Sequence, residues 1–285
     1  MQGLIGQHLD EKDSNLPTRE LTIEEAVEIA VGFHRDGRLT EALTIYAEVL
    51  KMNPQHAVAL HFSGVVANQV GRSDDAVELI QKSLALVPDR ADWHSNLGIV
   101  EQERGRLDEA IAAYHRAIEL DPAHANAHNN LGVLLRITGK PVEAEAEYRT
   151  AIRLNPEHMD AYTNLGICLA QTGQLEEAER AFRQVLEIDP TFARGYTNLG
   201  ALALVAGDPS LARDYYREAI AQDPGNVLAR MQLASLYETT FHDYHAAARM
   251  CGEARQLAPS TPGVVECVER NQRLAAAGDS GRQAP

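Results

Sequence analysis

Basic residues are scarce in this chain: 26 Lys and Arg stand against 41 Asp and Glu over 285 residues, giving a formal net charge of −15. Phosphate contacts are made with clustered Lys and Arg, so this deficit argues against sequence-independent nucleic-acid binding and against anionic membrane surfaces. Cysteine is scarcer still. Cys168, Cys251 and Cys267 are scattered and form no C-x-x-C pair. They are expected to be reduced, mostly buried thiols of a cytoplasmic protein that needs no bridge. Long apolar runs are missing, and the start MQGLIGQHLDEKDSN has no basic opening, so neither an export signal nor a membrane span is expected. Aromatic residues make up only 5% of a chain that is 45% apolar, a balance suited to helices packed closely through small side chains.

Catalytic signatures are lacking too. No G-x-S-x-G, glycine-rich phosphate loop or H-E-x-x-H occurs. Carboxylate runs such as Glu176-Glu177 and Glu143/Glu145/Glu147 read as solvated helix faces. His242-Asp243-Tyr244-His245 is the one local histidine cluster, and two histidines beside one aspartate on a loop fall short of a metal site. No enzyme activity, cofactor or metal is expected.

What the chain does contain is a period. Pro54, Pro88, Pro122, Pro156, Pro190 and Pro224 follow one another at 34 residues, and Pro259 comes one residue late. Counting each copy to two residues past its proline gives seven: 23–56, 57–90, 91–124, 125–158, 159–192, 193–226 and 227–261. Within Ala161–Pro190, Tyr162, Leu165 and Leu169 recur at helical spacing up to Gly173, and Ala178, Phe182, Val185, Leu186 and Ile188 up to Pro190. Each copy is therefore read as two amphipathic helices around a glycine. Gly37, Gly71, Gly105, Gly139, Gly173 and Gly207 should close the first helix in left-handed geometry, and the prolines should close the second. A second glycine series, Gly64, Gly98, Gly132, Gly166 and Gly200, sits inside the first helices. Ala42, Ala76, Ala110, Ala144, Ala178, Ala212 and Ala247 recur in the second helices, and the two small-residue series are expected to face each other.

Aromatic-x-x-Leu-Gly, then Ala-x-x-x-aromatic, then Pro, as in Tyr162, Leu165-Gly166, Ala178, Phe182 and Pro190, resembles the tetratricopeptide repeat family over residues 23–261. The resemblance implies an all-α, right-handed α-solenoid of seven helix-turn-helix repeats. A mobile arm is expected at 1–20, the repeats at 21–261, with a Thr22/Glu25 capping box at the start, a capping helix at 262–277 and a disordered tail at 278–285.

In such an array the first helices line a concave groove. Helical spacing assigns it Asn96 in the third copy and Asn126, Asn129, Asn130, Val133, Arg136 and Ile137 in the fourth. Asp160, Thr163, Asn164, Ile167, Ala170 and Gln171 follow in the fifth, and Arg194, Thr197, Asn198, Ala201, Leu204 and Val205 in the sixth. Asn96, Asn130, Asn164 and Asn198 align immediately before Leu-Gly. An amide that donates and accepts can hold a peptide backbone in two directions, or bond a neighbouring helix or water instead. His94 and His128 take the aromatic place of their copies and should pack between helices, while His56, His124 and His158, two after proline, should be solvated. Because the sites corresponding to the clamp, such as Ser95, Asn130, Asp160 and Asn164, are not basic, the resemblance does not extend to members that clamp a partner's C-terminal carboxylate. The asparagine-lined groove resembles the superhelical arm of O-linked N-acetylglucosamine transferases, without their catalytic portion.

The expected function is a non-catalytic scaffold whose groove binds a peptide or protein segment. Two alternatives stand beside it: a substrate-recruiting subunit of a separately encoded enzyme such as a glycosyltransferase, and a self-assembling structural protein.

Overall fold

The computed structural model describes residues 21–282, and among them every regular element is helical. The arm expected at 1–20 and residues 283–285 lie outside the described residues. The first unit of the chain, up to Thr138, holds α1 (Ile23–Arg35), α2 (Leu39–Met52), α3 (Ala57–Gln69), α4 (Ser73–Leu86), α5 (Ala91–Glu103), α6 (Leu107–Leu120) and α7 (Ala125–Ile137). The second, from Gly139, holds α8 (Pro141–Leu154), α9 (Met159–Gln171), α10 (Leu175–Ile188), α11 (Ala193–Val205), α12 (Pro209–Gln222), α13 (Val227–Leu236), a π-helical segment Tyr237–Phe241, α14 (Tyr244–Leu257) and α15 (Pro262–Arg282).

In the first unit α1 packs on α2, α3 on α4 and α5 on α6, and each even helix also packs on the odd helix that follows. The odd helices α1, α3, α5 and α7 touch in succession and form that unit's inner layer. In the second unit α9 pairs with α10, α11 with α12 and α13 with α14, while α9 touches α11 and α15 lies on α14. This is a solenoid of helix-turn-helix repeats with no strand among the described residues.

Local chemistry sets the boundaries. Thr22 and Glu25 form the reciprocal capping box that starts α1. The six turn glycines have φ between 73° and 83°, where a side chain would be strained. The residue after the glycine bonds back across the turn, as Arg38 N to Phe33 O and Gln174 N to Leu169 O, both 2.8 Å, so otherwise unpaired helix-end carbonyls find donors. Pro141 and Pro209 open α8 and α12, where the missing N–H costs nothing. His56, His124 and His158 are not solvated as expected. Each is half-buried at a helix start, its Nδ1 accepting from the backbone N–H of Ala59, Ala127 or Ala161 at 3.2 to 3.4 Å. Asn226 does the same for α13 through its Oδ1 and the Ala229 N–H, 2.9 Å.

Gly64 faces Ile80 and the Ala76 carbonyl, at 2.7 and 2.9 Å from where a Cβ would stand, whereas Gly98, Gly166 and Gly200 face rings rather than the alanine series. A Cβ at Gly98 would stand 2.6 Å from Tyr114, at Gly166 2.5 Å from Phe182, and at Gly200 2.6 Å from Tyr216. Each ring occupies the volume that a first-helix side chain would otherwise fill, and Tyr114 and Tyr216 are fully buried. The alanines Ala110, Ala178 and Ala212 are also fully buried one turn earlier in the same second helices.

The seventh copy absorbs its extra residue without a glycine. Tyr237–Phe241 widens into a π-helix, which takes up one residue, and His242 then adopts φ 52°, left-handed, before Asp243 caps α14 through the Ala246 N–H. Two other expectations are corrected here. α15 does not stop at Ala277: it continues to Arg282, because Gly278 and Gly281 weaken a helix by only about 1 kcal/mol each and no proline intervenes. Cys251 and Cys267 are not separate thiols. Packing of α15 on α14 brings their Cα atoms to 5.7 Å and the two are bridged, while Cys168 stays outside the bridge as a buried thiol. Wide sequence spacing hid a pairing that only the antiparallel fold-back creates.

The glycine-and-ring contact gives a direct test. Alanine is the better helix former by about 1 kcal/mol, yet Gly166→Ala should destabilise the protein by about 1–3 kcal/mol because its methyl collides with Phe182. Urea unfolding of wild type and variant measures this; a stabilised variant contradicts it.

Candidate functional site

The expected groove residues lie on α5, α7, α9 and α11, and the structure sorts them into three groups. Asn126, Asp160, Gln171, Arg194 and Ala201 are exposed. Asn96, Asn130, Asn164, Asn198, Val133, Arg136 and Ile167 are half-buried. Asn129, Thr163 and Thr197 are buried. Thr197 donates from Oγ1 to the Ala193 carbonyl at 3.1 Å and accepts from Asn226 Nδ2 at 3.4 Å, while Asn129 donates to Asn130 Oδ1 at 3.2 Å. These three serve the interior.

The aligned asparagines also meet neighbouring helices. Tyr114 of α6 stands sixteen residues before Asn130 of α7, and the two side chains hydrogen-bond. Asn96, sixteen after Ile80, finds no hydroxyl there and instead donates from Nδ2 to His61 Nε2 of α3, 3.1 Å away. Asn198 is sixteen after Phe182, which also lacks a hydroxyl, and its buried Nδ2 has no partner. Tyr46 faces the same offset with Phe62: the rings stack at 6.2 Å and the Tyr46 hydroxyl is unpaired. The residue before Leu-Gly is thus a junction residue that reads the copy before it.

His61 is the most perturbed side chain of the inner layer. It is buried and stacks flat on Trp93 at 4.5 Å, with Phe62 edge-on at 5.2 Å. Burial, reinforced by the Arg90 and His34 charges, pushes its pKa down to about 3. His158 is lowered as well, chiefly by burial. His94 and His128 donate to the Pro88 and Pro122 carbonyls at 2.8 and 3.1 Å, as Tyr196 does to Pro190 at 3.1 Å, tying each first helix to the preceding turn.

In the second unit, a cleft of about 470 Å³ opens between the starts of α11 and α13. Asp189, Phe192, Arg194, Asp223 and Leu228 contribute to its walls. Phe192 stands where His56, His124 and His158 cap their helices, and α11, like α5 after Arg90, has no side-chain cap. Hydrogen bonds from the Thr191 hydroxyl and amide hold the Asp189 carboxyl below its usual pKa. Near the cleft Leu228 is 57% exposed, and along α11 Leu204 and Val205 are also exposed, Val205 at 66%. Leu228 was missed in the sequence, although the spacing rule that selected Arg194 selects it in the next copy.

Among the described residues no group of three or more His, Cys, Asp or Glu gathers as a metal site, and no helix is long and apolar enough to cross a membrane.

A stack of glycine-hinged helix pairs repeating every 34 residues defines a helical repeat protein. Models of the tetratricopeptide repeat match residues 33–97, 123–191 and 193–236, and a TPR repeat model matches 100–139. The chain belongs to the tetratricopeptide repeat family and carries multiple tandem motifs. It is similar to the crystal structure of MamA (27% identity, 58% of this chain and 97% of that one, TM-score 0.52). It also resembles a tetratricopeptide repeat protein from Parabacteroides merdae (17%, 88% and 98%, TM-score 0.70). A third is YrrB, described as a TPR protein with an unusual peptide-binding site (24%, 65% and 95%, TM-score 0.51). No curated protein matches the chain.

Two measurements test this geometry. Phe182→Tyr should supply the hydroxyl that Asn198 lacks, so a double-mutant cycle with Asn198→Ala should show a coupling of about 1 kcal/mol; additive effects would refute the junction. The second concerns pH. His61 is neutral when folded, so below its unfolded value of about 6.5 the unfolded chain binds the proton first. Stability should therefore fall as pH drops from 7 to 5, by at most about 1.4 kcal/mol per unit for this histidine. His61→Gln should flatten that slope, followed by urea midpoints with Trp93 emission as reporter; an unchanged slope contradicts the assignment.

Proposed function

We propose that the chain is a non-catalytic scaffold that receives a segment of another protein on the inner faces of its first helices, with the α11–α13 region of the second unit as the principal contact. Tetratricopeptide proteins mediate protein–protein interactions and are typically non-catalytic, and the peptide-binding site described for YrrB gives that role a precedent on the same fold. The observation that carries the reading is the exposure of Leu228 at the cleft and of Leu204 and Val205 at the far end of α11, apolar surface left outside the helix packing.

Energetics favour apolar anchoring over an amide ladder. Asn96 and Asn130 already spend hydrogen-bonding capacity on His61 and Tyr114. Fully burying a Leu or Val side chain is worth about 1.5–3 kcal/mol. Three such positions give at most roughly 4.5–9 kcal/mol, from which the ordering of the bound segment must be subtracted. Arg194 at the cleft and the Asp189 and Asp223 carboxylates set which charged side chains can accompany the apolar ones.

Peptides selected from a display library against the full chain, then titrated by calorimetry, provide the test. Val205→Asp and Leu228→Asp should each weaken binding by about tenfold, since each puts a charge where an apolar group is to be buried. Equal affinity of both variants and wild type would overturn the site.

A further inference from the structure

We propose that the Cys251–Cys267 bridge is a redox-set latch holding the capping helix α15 on the seventh copy, an inference separate from the peptide-binding reading above. The argument starts from register. Cys251 occupies the second-helix place held in earlier copies by Tyr46, Ile80, Tyr114, Tyr148, Phe182 and Tyr216. Cys267 follows sixteen residues later, the offset that separates Tyr114 from Asn130 and Phe182 from Asn198. At every earlier junction this pair of places is non-covalent; at the cap it is a bond. Both half-cystines are buried, at 0% and 3% exposure.

The remaining ties of α15 are a set of hydrogen bonds and a small apolar contact. Arg270 donates to Glu238 of the π-helical segment from Nε and Nη2, at 3.1 and 2.9 Å. Asn271 donates from Nδ2 to the same carboxylate at 2.9 Å and to the Cys267 carbonyl at 3.1 Å. Beneath the bridge Ala234, Cys251, Cys267 and Val268 form a small core, with Met231 and Met250 packed against it. Reduction breaks the Sγ–Sγ bond: a dithiol supplies two electrons and two protons, is itself oxidised to a disulfide, and leaves two cysteine thiols. Because the sulfurs are buried, attack requires α15 to open first, so reduction is slow and coupled to the helix's own motion. Once reduced, α15 is retained by the Glu238 contacts, the small core and the burial of Val264 and Ala275, with no covalent tie. Its opening uncovers Met231 and Met250, flexible side chains that adapt to varied apolar partners.

The test uses the full chain. Denatured, unreduced protein should titrate one thiol, Cys168, where reduced protein titrates three. Hydrogen exchange by mass spectrometry should show α15 opening about a hundredfold more after a dithiol is added, the scale expected from removing a cross-link over a loop of this length. α9 to α12 should be unchanged. A Cys251→Ser/Cys267→Ser variant should exchange fast with or without reductant, which separates the bond from any other effect of the dithiol. Three free thiols in the oxidised protein, equal α15 exchange before and after reduction, or acceleration spread evenly over α9–α14 would each overturn the latch.

Discussion

A ring seated in the space left by a missing side chain is the contact on which the rest of this structure depends. Where Gly98, Gly166 and Gly200 lack a Cβ, Tyr114, Phe182 and Tyr216 lie against the first-helix backbone. Ring and glycine together fix how near the two helices of a copy stand. They fix rotation as well, because a helix turned by one residue, about 100°, would carry the glycine away from the ring. Once the rotation is set, which side chains point at the next copy and which point into the inner layer follows from 3.6-residue geometry. The turn glycines and prolines decide only where the helices stop.

The same ring then reaches the following copy. Its outer edge meets the residue two before the first-helix glycine, and whether that meeting is polar, aromatic or incomplete depends on both members: a hydrogen bond for Tyr114 and Asn130, a stack for Tyr46 and Phe62, an unpaired amide at Asn198. Stacked copies of this kind gain stability from nearest-neighbour contacts more than from any single core. The junctions are therefore where copies of nearly identical pattern can differ in strength. His61 shows the cost of a non-standard solution, since Asn96 obtains its partner only by keeping an imidazole buried and neutral beneath Trp93.

Period and punctuation made the architecture legible before any coordinates. Six prolines at one spacing, with glycine at two fixed places per copy, leave little choice of element or order. The capping box at Thr22 and Glu25 was equally readable, because it is a local bond pattern. What escaped was anything dependent on a partner distant in sequence. The Cys251–Cys267 bridge needs the fold-back of α15. The half-buried histidine caps need the packing that shelters His124 and His158, and the interior placement of Asn129, Thr163 and Thr197 needs the exact rotation of each helix. Helical spacing locates a face to within a residue or so; burial changes completely over that distance.

Binding capacity on such a scaffold has to come from positions that packing does not consume, and these are not spread evenly. Around copy six several departures coincide: Phe182 without a hydroxyl, Phe192 in place of a capping histidine, and Gly195, where a Cβ would stand 2.7 Å from Leu186. Gly195 lets α10 and α11 close together. Phe192, half-buried and unable to cap, leaves the start of α11 open beside the cleft, which Arg194 and Leu228 line, while Leu204 and Val205 stand exposed at the other end of the helix. A mutation that only perfected packing there would fill the cleft and cover the apolar side chains. Their exposure costs stability in isolation and returns it when another chain covers them. This incompletely paired junction of the second unit thus coincides with its proposed contact surface.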